Sequence, residues 1–461
     1  MALLCSGVSV VDAAPEAVPS TSPVPTVALP VERVRLANGL EVIYDLDRRT
    51  PVVTVNLWYH VGSKNEAPGR NGFAHLFEHL MFQGSKHVPE DTYFRTLEQA
   101  GGTSINGTTG NDRTNYYETV PSNQLALALW LESDRMGFLL DHVNEATFVS
   151  QREVVKNEHR QNYSNAPYGF VIRFVREALF PDDHPYHTIA IGKPEDLDAA
   201  SLEDVRRFFA VNYVPNNASL VISGDFDRTR AGVLVEQYFG SLPRGADVPR
   251  KPREVVRLAG ETAIDIEAGV DLAQVTINWR TPAAYTPGHA ELELAARLLS
   301  HGTSSRLYKR LVYELQIAES VSATQYSLEL ASAFEIEATA REGHTAAELL
   351  GVIDEELTKL REHGVSDAEL ARAKATSAAE AIFDVERSST RANRINKYAH
   401  YTGDPSFFAE DLARTARATP AGVQAALAAW LTAHDRVVAL VTPQQDAPVC
   451  GRVVATRRGA P

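Results

Sequence analysis

Residues 51–87, PVVTVNLWYHVGSKNEAPGRNGFAHLFEHLMFQGSKH, and residues 273–311, AQVTINWRTPAAYTPGHAELELAARLLSHGTSSRLYKRL, decide the fold because they follow one plan. Each opens on an alternating, β-branched run that suits a strand, crosses a loop containing Pro-Gly, and enters an apolar helix that ends at Gly. Aligning Gly84 with Gly302 sets His75 opposite Glu293, Glu78 opposite Ala296 and His79 opposite Arg297. The predicted fold is α+β, with two homologous repeated domains. Each is a mostly antiparallel sheet with helices packed on one face. The first copy carries a cluster of titratable groups that the second lacks.

A chain of 461 residues with 44% apolar content suits two domains and can bury large cores. The expected division is a signal-like segment and Pro-rich linker over 1–30, a first domain over 31–243, a linker over 244–257 that acts as a hinge near Gly245 to Arg253, a second domain over 258–445, and a tail over 446–461. The formal charge of -14 argues against nucleic-acid binding, which needs a basic face. Two cysteines, Cys5 and Cys450, are too few for a disulfide framework or a thiolate metal site. No segment reaches the ~18–20 apolar residues of a membrane span. The run ending near Ala13-Ala14 looks like an export signal, although it lacks the usual basic start. A periplasmic or secreted location is therefore expected, with the cytoplasm as alternative.

His75 and His79 are four residues apart on a helix, so their rings share one face. That spacing suits two imidazole nitrogens on one zinc ion. Glu78 lies beside both and can take a proton from a metal-activated water. Three costly polar groups on an apolar helix need a common purpose. A catalytic zinc needs a third protein ligand and an open position. The helix SQREVVKNEHRQ, about eighty residues on, offers Glu153, Glu158 and His159, and chemistry alone does not choose among them.

H-x-x-E-H is the signature of the inverzincins, and this chain resembles that family: the pitrilysin, insulin-degrading enzyme and mitochondrial processing peptidase metallopeptidases. The likeness runs from about Val31 to Thr442. It includes GFAHLFEHLMFQG, GGTSINGTTGNDRTNYYETVP, REVVKNEHRQ, HPYHTIAIGKPEDL, YVPNNASLVISGDF and HGTSSRLYKRL. The resemblance implies a zinc endopeptidase with one Zn2+ per chain, held by His75, His79 and Glu158, with Glu78 as general base. It implies that Asn106 pairs with substrate backbone and that Tyr116 and Tyr117 pack the sheet. GGTSING is the expected edge for an extended peptide.

Two departures stand out. Gln151 occupies a position where some members carry a supporting glutamate, so it is expected to tune the site from outside the ligand set. Self-sufficient members also place an Arg and a Tyr in the second half to stabilise the oxyanion. The corresponding positions here are roughly Phe407 and Arg414. An upstream set, Arg394, Tyr398 and Tyr401, is the alternative source. Otherwise a partner supplies that function. The expected substrates are peptides or unfolded polypeptides, and the expected partner is a homologous zinc-less subunit closing a chamber, or a second copy in a homodimer. Two other readings are a non-catalytic assembly subunit of the same family and a non-peptidase zinc hydrolase.

Overall fold

The computed structural model describes residues 27–253 and 257–459. The signal-like segment lies outside these residues.

Among the described residues, twelve strands form two six-stranded sheets. The first holds β1 (Glu32–Arg35), β2 (Glu41–Leu46), β3 (Val52–Tyr59), β4 (Thr103–Thr109), β5 (Thr114–Pro121) and β6 (Ala218–Gly224), in the order β1-β2-β6-β3-β5-β4. The second holds β7 (Thr262–Ala268), β8 (Gln274–Thr281), β9 (Ala318–Tyr326), β10 (Ser332–Ala340), β11 (Val437–Pro443) and β12 (Arg452–Arg458), in the order β12-β7-β11-β8-β10-β9. In each sheet one pair is parallel, β2 with β6 and β7 with β11, and the others are antiparallel. The two orders match strand for strand. The outer strand comes first in the chain in one half and last in the other. The residues read as a tail therefore include β12, whose β-branched Val453 and Thr456 pair with β7.

Two helices position the site, α1 (Phe73–Leu80) and α2 (Glu145–His159); α3 (Val171–Leu179) and α6 (Ser388–Thr402) bridge the halves, and α4 (His289–Ser300) and α5 (Asp367–Asp384) pack in the second half. Strand alternation sends neighbouring side chains to opposite faces. Val42, Leu220 and Ile222 join the core beneath the first half's own helices. Their neighbours Ile43 and Val221 face the other way, onto Ile395 and Tyr398 of α6, a helix from the second half. The second sheet repeats this arrangement in reverse. Val438 faces its own helices, while Val437, Ala439 and Val441 meet Val175 and Leu179 of α3, from the first half. Each such buried aliphatic or aromatic side chain contributes roughly 1.5–3 kcal/mol.

Polar contacts reinforce the exchange. Arg391 of α6 donates two hydrogen bonds to the fully buried Asp45 of β2, at 2.6 and 2.5 Å. Asp112, in the β4–β5 turn, accepts from Lys64 and Tyr186 of the first half, and from the Glu329 N–H and the Tyr401 hydroxyl of the second. Lys64 also meets Glu329. The expected hinge near Gly245 to Arg253 is thus bypassed by interlocked helices and a buried polar junction. The Pro-rich linker also ends inside this junction, because Leu29 packs with Ile43, Val221 and Ile395.

Candidate metal centre

α1 buries Phe73, Ala74, Leu76, Phe77 and Leu80 in the first core, which turns His75, Glu78 and His79 toward the opposite side. The His75 and His79 ring centroids are 4.9 Å apart, edge to face. α2 crosses α1 and brings Glu158 to them. Its Oε2 lies 3.3 Å from His79 Nε2 and 3.7 Å from His75 Nε2. One donor atom from each of the three residues falls within 4.8 Å of the others.

The electrostatics fit a cation at this point. Burial, then the neighbouring His79, lowers the pKa of His75 to about 4, so its ring is neutral near pH 7. The hydrogen bond from His79 holds Glu158 below the usual carboxylate range. Burial raises Glu78, while Thr109, His79 and Arg113 act in the opposite direction. Glu78 Oε2 and His75 Nδ1 are buried without a hydrogen-bond partner among the described residues. Two imidazoles and a carboxylate, converging from two helices, are the donor set and number of a catalytic zinc site with one position left open. This cluster can therefore hold a metal ion.

β4 borders the cluster. A Cβ on Gly107 would come within 3.0 Å of Glu78 Cγ and of Phe82, so a side chain there would press on Glu78 and Phe82. β4 is the outer strand of its sheet, and Asn106 is exposed on it. The Asn106 side chain accepts the Gly107 N–H at 2.8 Å, beside an irregular register where Ser104 has φ 52. Tyr116 is buried and donates to the Phe77 carbonyl at 3.3 Å, behind α1.

The other sequence-predicted residues are placed differently. Glu153 pairs with Lys156 at 3.1 Å, and His159 stacks near Tyr163, so neither joins His75 and His79. Gln151 is buried in α2, two turns before Glu158, with no hydrogen bond to either histidine. Arg394 donates to Asp384 at 2.7 Å and lines a cavity of about 1950 Å³ in the second half, together with Glu293, Ala296 and Arg297 of α4. Tyr401 is buried with its hydroxyl on Asp112, 3.0 Å away. Neither contacts the histidine cluster, because α6 is committed to the junction between the halves. Arg113 is a contributor that sequence reasoning passed over. It donates to the Thr108 carbonyl at 2.7 Å, lies over Trp58, and acts electrostatically on Glu78. Its signal was the NDRTNYY run, read only as part of a family likeness.

Comparison with known proteins agrees with this arrangement. Residues 41–184 match the insulinase (peptidase family M16) domain, and residues 199–377 match the peptidase M16 inactive domain. The zinc protease PqqE of Helicobacter pylori is 31% identical over 373 residues, covering 80% of this chain and 83% of that protein. An uncharacterized zinc protease of Streptomyces coelicolor is 26% identical, with 86% of each covered. The crystal structure of a protease from Helicobacter pylori superposes with a TM-score of 0.86 at 26% identity, covering 90% of this chain and all of that one. The chain belongs to the M16 (insulinase, pitrilysin) family of zinc metallopeptidases, as a two-domain member of the bacterial type.

Proposed function

We propose that this chain is a zinc-dependent endopeptidase of peptides and unfolded polypeptide segments. The observation that carries the reading is the convergence of His75, His79 and Glu158 beside a buried Glu78. A zinc ion held by these three ligands would polarise a scissile carbonyl and acidify water near neutral pH. Glu78 takes the proton from the attacking water and passes it to the leaving amine nitrogen. Its raised pKa, caused by burial, brings it closer to the range a base needs near neutrality. Gln151 supports the ligand helix from its buried side. An extended substrate adds along the outer edge of β4, where Asn106 meets its backbone.

The donors for the developing oxyanion are assigned to a second chain. Arg394 is occupied by Asp384 and Tyr401 by Asp112, which leaves neither free to turn toward Glu78. The partner is a homologous zinc-less subunit, or a second copy of this chain, closing a chamber that admits extended chains and excludes folded ones. The run ending near Ala13-Ala14 is read as an export signal, with the periplasm as destination. The first half of the periplasmic protease PqqL of Escherichia coli has the same fold, at 18% identity and a TM-score of 0.74 over 92% of this chain.

The test is zinc stoichiometry by elemental analysis together with cleavage of an internally quenched unstructured peptide. One zinc per chain with cleavage supports the full reading. One zinc with cleavage only after adding a zinc-less homologue supports the paired enzyme. A folded chain that takes up no zinc contradicts both.

A further inference from the structure

α1 has eight residues, so its first turn is about half of it. The first N–H groups of a helix have no partner within it. The usual remedy is Ser, Thr, Asp or Asn at the N-cap. Here the N-cap is Gly72, at φ 96, with no side chain to accept them. The acceptor comes from upstream. Glu66 Oε2 takes the Gly72 N–H at 2.9 Å, and Glu66 Oε1 takes the Ala74 N–H at 2.9 Å. Ala74 immediately precedes His75.

A second segment closes around the same helix end. Asp196 accepts the Asn71 N–H at 3.2 Å and also its side-chain amide. A Cβ on Gly192 would lie 2.4 Å from the backbone of Asn71 and Gly72, and a Cβ on Gly72 would lie 2.6 Å from the Ile191 carbonyl oxygen. The start of α1 is therefore held by backbone-to-backbone contact and two carboxylates. This gives the IGKPEDL segment a physical purpose.

We propose that Glu66 is a positioning residue of the metal centre: its carboxylate fixes the first turn of α1 and so aims His75. This rests on the reading of His75, His79 and Glu158 as zinc ligands. Partners that orient a ligand without touching the metal typically change metal affinity about 10–100-fold. The Glu66→Gln side chain keeps one accepting oxygen but presents an NH2 group to the other N–H, so it breaks half of the clamp.

The experiment is zinc affinity of the full chain by competition with a chromogenic chelator, for the wild type, Glu66→Gln and Glu66→Ala. KM and kcat are measured alongside on the quenched peptide. The expected result is zinc binding weakened about 10-fold by Glu66→Gln and toward 100-fold by Glu66→Ala. At limiting zinc, kcat falls while KM holds. Affinities within twofold of wild type in both variants overturn the proposal. If either variant fails to fold, Glu66→Asp, which keeps the carboxylate but shortens its reach to the Gly72 and Ala74 N–H groups, carries the test. A weakening of threefold or more then supports the proposal and an unchanged affinity overturns it. A wild-type chain that binds no zinc overturns the metal centre itself, an outcome distinct from unaffected variants of a zinc-binding parent.

Discussion

The two halves answer one structural problem in different ways. In each, a helix follows the strand fourth in the sheet order, β3 or β8, and a longer helix lays a carboxylate against it. In the second half the cation is built in. Arg297 of α4 meets Glu380 of α5 at 2.5 Å, with His301 3.1 Å from the same carboxylate. In the first half no guanidinium or ammonium reaches Glu158 among the described residues. It faces two imidazoles, of which His75 is neutral near pH 7. The same scaffold is complete in one copy and lacks a positive charge in the other. A duplicated unit thus separates what the fold requires from what the chemistry requires.

The sharpest way to break the comparison is to remove a member of the first cluster. His79→Ala is expected to weaken zinc binding by more than about 100-fold, since even an outer partner costs 10–100-fold. Cleavage of the quenched peptide should fall in parallel. Chelator competition and peptide kinetics on one preparation check both. Retained stoichiometric zinc would mean that the ligand set is wrong.

Interlocking of the halves gives the next effect. Lys64→Met leaves Asp112 and Glu329 close together without their shared cation, each at most 8% exposed by side chain. The expected loss is about 3–5 kcal/mol in urea unfolding. It should appear as destabilisation of a single cooperative transition. Two separated transitions, with only one moved, would show that the halves fold as independent units.

The smallest effect is expected at the built-in ion pair. Arg297→Ala removes a contact that is a quarter exposed on one side and 42% exposed on the other. Such pairs are worth about 0–1 kcal/mol. Urea unfolding should shift by no more than that, and zinc binding should not change. A large loss of zinc affinity would mean that the second half takes part in the first half's metal site.

Much of this was legible in the sequence because it rests on short-range spacing. The helical spacing of His75, Glu78 and His79 places them together whatever surrounds them, and the repeated strand-loop-helix pattern announces two similar sheets. The third ligand was not legible by chemistry. Glu153, Glu158 and His159 lie on one helix, and only its crossing angle over α1 selects Glu158. The positions of Arg394 and Tyr401 were not legible for a similar reason. α6 belongs to the second half in sequence but packs on the first half's sheet, and no local pattern encodes that exchange. β12 did carry a signal, the β-branched Val453, Val454 and Thr456 of RVVATRR, that was outweighed by its position at the end of the chain. Glu66 sits in a polar loop, GSKNEAPGRNG, where a carboxylate reads as solvated until the helix it caps is seen.

The proposed catalysis turns on Glu78 acting as the base beside a metal held by His75, His79 and Glu158. The most direct measurement is cleavage of the quenched peptide by wild type and Glu78→Gln, each with its zinc content determined. The prediction is equal zinc in both and a kcat lower by about 10²–10⁴ in the variant. Equal cleavage by both, at equal zinc, would contradict it.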